Sequence, residues 1–228
     1  MKSCLTPGKK KKLEAVSISG GIIAALACDQ RQALRSLFGK STGIDPENVP
    51  GERLAEFKEA VSKILTPHAS AILLDPEYGL PAAQQRAKTA GLLLAYEKTG
   101  YDEAGRLPRL LEPWSVQRLV EAGADCVKLL LYYSTTSATD INQRKHAFVE
   151  RVGAECVAAD VPFFLELVTY AEGLDANGPE FAAQKPALSA CGMREFSRER
   201  YRVDVLKVGV PVNLADQPPS RNKMGGNE

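Results

Sequence analysis

The sequence predicts an α/β fold, a parallel sheet of the TIM (β/α)8 barrel family with about six β/α units present, on three observations. Six short apolar runs alternate with helical segments, and strands joined through crossover helices lie parallel. Asp29, Asp75, Lys128, Glu166 and Lys207 stand in or at the ends of five different runs, and a closed barrel is the arrangement that lets many strands aim side chains at one pocket. No G-x-G-x-x-G or Walker sequence, the usual mark of the doubly wound alternative, is present.

After a basic N-terminal segment, Ile22 to Ala27 is short, apolar and preceded by Gly20-Gly21, which fits a buried strand ending at Asp29 and Gln30. Lys9 to Lys12 ahead of the run Ile18 to Cys28 imitate a signal peptide. Against that, Glu14 breaks the charge pattern, and the run flows into Asp29-Gln30-Arg31 as a strand feeding a loop would. Gln32 to Phe38 reads as a helix. Glu52 to Leu65 reads as an amphipathic one, with Leu54, Phe57, Val61 and Ile64 forming its core face. Ser70 to Leu74 is the second strand, stopping at Asp75-Pro76 and a Gly/Pro loop. Gly91 to Tyr96 is the third, followed by a long polar loop. A short helix spans Trp114 to Ala122, with Pro113 at its start and Gly123 past its end. Cys126 to Tyr133 makes the fourth strand, Asp140 to Ala159 a long helix with Ile141, Phe148, Val152, Cys156 and Val157 inward, and Pro162 to Tyr170 the fifth strand. A weak helical stretch around Met193 to Arg200 leads into the sixth strand within Val203 to Asn213.

Composition narrows the function. Lys plus Arg number 29 against 28 for Asp plus Glu, so no global field favours nucleic acid or an anionic membrane. No run reaches the ~18 apolar residues of a membrane span. The five cysteines, Cys4, Cys28, Cys126, Cys156 and Cys191, contain no C-x-x-C pair and read as reduced residues of a soluble, cytoplasmic protein. His68 and His146 stand far apart without a second ligand at zinc spacing, so a zinc-dependent mechanism is not expected; no cofactor is expected either.

Lys207 interrupts the apolar run VDVLKVGVPVN. In a strand buried on both faces an ammonium costs several kcal/mol, and the free amine that results is the nucleophile of Schiff-base chemistry. On an edge strand the same lysine would point to solvent and guard against edge pairing. Lys128 and Glu166 also stand in mid-strand. A second ammonium near Lys207 would favour the free amine further, and a carboxylate could carry protons around the imine. Lys128 could equally be solvent-exposed, and Glu166 could form a structural ion pair with either lysine.

Six blocks in order sharpen this reading: LACDQR at Leu26 to Arg31, LLDPEYGLPA at Leu73 to Ala82, LLLAYEKTGYD at Leu92 to Asp102, VKLLLYY at Val127 to Tyr133, then PFFLELVTY and VLKVGVPVN. From about Ile18 to Asn213 the chain resembles class I tagatose-1,6-bisphosphate aldolase. The resemblance implies a (β/α)8 barrel that reversibly cleaves D-tagatose 1,6-bisphosphate, a sugar bisphosphate substrate, into dihydroxyacetone phosphate and glyceraldehyde 3-phosphate without metal. It also implies Lys207 as the Schiff-base lysine, Glu166 as the acid/base, Lys128 as a further active-site lysine, and Asp29 with Gln30 as the polar, substrate-binding pair after the first strand. The sulfofructose-phosphate aldolases share the chemistry but lack the DPEYGLP and AYEKTGYD blocks in this form. Epimeric ketohexose bisphosphates, and a homo-oligomeric state, are left open.

Two departures qualify the resemblance. Where family members commonly carry a glutamate two residues after the Schiff-base lysine, this chain has Gly209, on the same strand face. Residues 1–213 hold about six units, whereas the polar stretch 214–228, with Pro-Pro and Gly-Gly, cannot supply two more and is expected to be disordered. The expectation is a truncated aldolase of weak or no activity alone, or a non-catalytic sugar-phosphate binding or regulatory remnant.

Overall fold

The computed structural model of the chain describes residues 5–99 and 105–212. Strands β1 (Ala25–Ala27), β2 (Ala71–Leu74), β3 (Gly91–Ala95), β4 (Cys126–Tyr133), β5 (Phe163–Thr169) and β6 (Val205–Val208) form one sheet in chain order, and every neighbouring pair is parallel. Helices α1 (Pro7–Ala15), α2 (Gln32–Thr42), α3 (Gly51–Leu65), α4 (Leu80–Gln85), α5 (Val116–Glu121), α6 (Thr139–Ala158) and α7 (Pro179–Phe196) precede or connect them.

The sheet curls. Strands spaced about 4.8 Å apart would set β1 and β4 about 14 Å from one another in a flat sheet. Yet Asp29, two residues past β1, accepts a 2.8 Å hydrogen bond from Lys128 of β4. Residues of β1 and β6 also line one open cavity of about 270 Å³. The result is a partial (β/α)8 barrel whose β1 and β6 each pair with one neighbour among the described residues.

Period-2 alternation divides the core into two faces. Leu73, Leu93, Ala95, Cys126 and Phe164 point inward and pack with Val16. Ile72, Leu74, Leu92, Leu94, Leu129 and Leu165 point outward against Leu119, Val149, Val152 and Phe196 of the helices. Both faces are covered over β2 to β5, which explains why those runs read as continuously apolar. Gly153 of α6 lets that helix close on the chain ahead of β6, since a Cβ there would lie 2.1 Å from the Tyr201 carbonyl oxygen.

The basic N-terminal segment is a helix, unforeseen in the sequence because its surface is almost wholly polar. Thr6 caps α1, accepting from the Lys9 amide at 3.1 Å. Lys9 Nζ lies 2.7 Å from Asp204, whose Oδ2 also accepts from the Phe163 amide at the start of β5. This helix therefore sits at the N-terminal ends of the strands, opposite the polar residues.

Several expectations are corrected. The core face of α3 is turned: Leu54, Lys58 and Ser62 are buried, while Phe57 and Ile64 are 40% and 65% exposed. Lys58 and Ser62 find buried acceptors, so polar partners rather than apolarity set that face. On α6, Val157 is exposed, whereas Asn142 and Lys145 are buried. The weak helical stretch near Met193 is the end of α7, which begins at Gly178-Pro179 and contains Pro186, whose presence hid it. Helix α4 forms inside the expected Gly/Pro loop, with Pro81 in its first turn. Cys28, Cys126 and Cys156 are buried free thiols, as expected. Cys4, Gly100 to Ala104 and the stretch from Asn213 onward lie outside the described residues.

Candidate active site

Polar side chains converge at the C-terminal ends of the strands, around Lys128. This lysine is the third residue of β4 and points inward, next in line after Cys126 on the same face. Its side chain is 1% exposed, which rules out the solvent-exposed reading. Nζ donates to Glu97 Oε1 at 2.6 Å and to Asp29 Oδ2 at 2.8 Å, and lies 3.0 Å from Glu166 Oε2. Two of the ammonium's three N–H donors are hydrogen-bonded, to Glu97 and Asp29, and Glu166 stands at ion-pair distance. Burial pulls the Lys128 ammonium down, but Glu97, Asp29 and Glu166 outweigh it and the net shift is upward. Burial likewise raises Asp29, and Lys128 together with Lys207 more than reverses it, so that the carboxyl is held below its usual range.

Glu166 of β5 bridges the two lysines, with its other oxygen, Oε1, 2.7 Å from Lys207 Nζ. The register sets Glu166 beside Lys207 of β6, so the pair is a direct cross-strand contact. In its burial Lys207 follows the edge-strand reading rather than the buried one. Its side chain is 41% exposed, because β6 has one strand neighbour among the described residues and Lys207 looks into the open cavity. The buried lysine of the pair is Lys128. Two residues past Lys207, Gly209 has no atom within 4 Å of where a Cβ would stand.

Asp29 thus joins the cluster, whereas Gln30 is exposed and what the structure engages is its carbonyl, which accepts from Lys58 Nζ at 2.9 Å. Asp75 is drawn away from the pocket. It pairs with Lys58, both side chains fully buried, and caps the amides of Glu77 and Tyr78. Lys58 also donates to the Cys28 carbonyl at 2.7 Å, so this buried pair ties α3 to the loop that carries Asp29. Sequence reasoning missed Lys58, which looks like an ordinary charge on an amphipathic helix. It also missed Glu97 and Arg31. Glu97 continues the inward parity of Leu93 and Ala95, and that was the available signal. Arg31, 4% exposed, donates to the Glu97 carbonyl at 2.7 Å and pairs with Glu77.

A curled parallel sheet with two lysines and three carboxylates at the C-terminal ends of its strands defines a (β/α)-barrel protein with an amine-bearing pocket. Residues 23–223 match the family model described as DeoC/LacD family aldolase, and the chain belongs to that family. It is 55% identical over 213 residues to tagatose 1,6-diphosphate aldolase 2 of Enterococcus faecalis, covering 92% of this chain and 63% of that protein. Identity is 54% to aldolase 1 of the same organism, over 90% of this chain and 63% of that protein. To tagatose 1,6-diphosphate aldolase 2 of Streptococcus agalactiae it is 50%, over 92% and 64%. The chain spans about 63% of the length of these curated relatives. Among solved structures, an archaeal fructose 1,6-bisphosphate aldolase superposes with a TM-score of 0.59 at 15% identity, over 88% of this chain and 70% of that one. A Schiff-base-forming fructose-1,6-bisphosphate aldolase gives 0.55 at 14%, over 86% and 68%. These two establish the barrel fold. No helix among the described residues is long and apolar enough to cross a membrane.

Proposed function

We propose that the chain carries the imine-forming machinery of a metal-independent lyase that reversibly cleaves D-tagatose 1,6-bisphosphate into dihydroxyacetone phosphate and glyceraldehyde 3-phosphate. The observation that carries this reading is the Glu166 carboxylate, with one oxygen 3.0 Å from Lys128 and the other 2.7 Å from Lys207. The names of relatives at 50–55% identity supply the substrate class.

Lys207 is the nucleophile. Its ammonium gives a proton to Glu166 Oε1, and the free amine attacks the keto carbon of the sugar. Glu166 returns the proton to the carbinolamine hydroxyl, which leaves as water and gives the protonated imine. That cation draws in the electron pair as the carbon–carbon bond breaks, while a carboxylate of the cluster takes the proton of the substrate hydroxyl. Lys128 stays charged throughout and, with Asp29, lines the approach to the imine carbon. Reduced cysteines in the core fit a cytoplasmic setting.

A second reading, binding of the sugar phosphate without turnover, is supported by the open inner face: Ala25 and Ala27 of β1 are exposed into the cavity beside Lys207. Release of dihydroxyacetone phosphate, followed through coupled oxidation of a nicotinamide cofactor, separates the two. Turnover insensitive to chelator is expected from the lyase. Thermal stabilisation by the sugar bisphosphate with no release would move the assignment to binding alone.

A further inference from the structure

Glu97 is the most enclosed of the three carboxylates on Lys128. Its side chain is 5% exposed, against 11% for Asp29 and 19% for Glu166. Every oxygen it owns is engaged. Oε1 accepts from Lys128 at 2.6 Å, Oε2 from the Leu130 amide at 3.1 Å, and the carbonyl from Arg31 at 2.7 Å. A carboxylate tied through both oxygens to the wall of the sheet and only 5% exposed presents almost no surface to a substrate, and acts chiefly on the ammonium it holds.

We propose that Glu97 is a positioning residue: from the wall side it anchors Lys128, so that this ammonium stays charged and turns its remaining N–H groups to Asp29 and Glu166 at the pocket. The inference deepens the lyase reading and, in its catalytic part, rests on it. The groups facing Lys128 are Asp29 after β1, Glu97 after β3, Glu166 on β5 and, across Glu166, Lys207 on β6. Beside β2, Lys58 and Asp75 neutralise each other and spend their other bonds on backbone groups, and Arg31 meets the Glu97 carbonyl. Without Glu97, a fully buried ammonium keeps two counter-charges that are themselves closer to solvent, and desolvation then favours the neutral amine. A neutral Lys128 no longer pins Oε2 of Glu166. With Oε2 pinned, Oε1 is the oxygen that exchanges a proton with Lys207, so the aim of the proton carrier depends on Glu97.

Two readouts on the full chain test this. In ¹⁵N-lysine-labelled protein without ligand, the Lys128 ammonium resonance is followed from about pH 6 to about pH 11. In parallel, Lys207 is trapped with dihydroxyacetone phosphate and borohydride. In Glu97→Gln the ammonium signal is expected to be lost within this range, whereas in wild type it persists to the end of it, and trapping is expected to slow by about tenfold or more. Glu97→Asp keeps the charge and shortens its reach. It is expected to hold the ammonium signal and still slow trapping, and wild-type trapping in this variant overturns the inference. An unchanged Lys128 resonance in Glu97→Gln also overturns it, whatever the trapping rate. A wild-type chain that never traps the ketone, yet shows the Lys128 change in Glu97→Gln, upholds the anchoring and removes the lyase reading instead.

Discussion

Replacing Lys145 with methionine should stabilise this protein at neutral pH and cease to do so in alkali. Lys145 of α6 is fully buried, and its hydrogen-bond partner is a neutral phenol, Tyr170 Oη at 3.1 Å, beneath whose ring the ammonium also sits. Burial pulls the amine from 10.5 down to about 8; Glu172 opposes that shift and Arg106 adds to it. Between those values the unfolded chain holds a proton that the folded chain has released, so stability rises with pH through the window. Below about pH 8 the folded protein carries the buried charge at full cost. The difference corresponds to about 3 kcal/mol. Methionine removes that penalty and loses one hydrogen bond of about 1 kcal/mol, a net gain of about 2 kcal/mol at pH 7. Above about pH 10.5 only the lost bond remains, and the variant becomes about 1 kcal/mol less stable than wild type. Urea unfolding of both proteins at matched pH values gives the difference directly. A difference that does not change with pH, or a variant less stable at pH 7, would refute the reasoning.

Lys58→Met strands Asp75 as an uncompensated buried charge and frees the Cys28 and Gln30 carbonyls; it should cost about 3–5 kcal/mol in urea unfolding. Gly153→Ala sets a Cβ 2.1 Å from the Tyr201 carbonyl oxygen, and a thermal melt should show a loss of about 1–3 kcal/mol as α6 is pushed from the chain ahead of β6. Gly209→Glu meets open space, so its stability should stay within about 0.5 kcal/mol of wild type, while the new carboxylate just past β6, two residues from Lys207, changes the pH dependence of Lys207 trapping.

What was legible in the sequence follows from how charge sits in apolar runs. Lys128, Glu166 and Lys207 each break a strand of Val, Leu and Phe, and three such breaks on parallel strands with matching parity meet at one end of a curled sheet. Glu97 and Lys58 were hidden because each stands where charges are ordinary, one at the head of a polar loop and the other on a helix bearing five other charged residues. Which of the two lysines is buried depends on which strands have neighbours on both sides, a property of the whole sheet that no single run encodes. The turned face of α3 has the same origin. Apolar spacing nominates Phe57 and Ile64, but the acceptors waiting for Lys58 and Ser62 are brought there by other segments. Helix α1, with four lysines among its nine residues, gave no periodic signal, and its anchors, Asp160 and Asp204, come from chain about 150 residues or more away.

The central claim is that Lys207 is the amine that bonds to the substrate ketone. Incubation of the chain with dihydroxyacetone phosphate and borohydride, followed by peptide mass mapping, tests it most directly. The account predicts one reduced adduct on Lys207, formed much more slowly in Glu166→Gln. An adduct on Lys128, or none on any lysine, would contradict it.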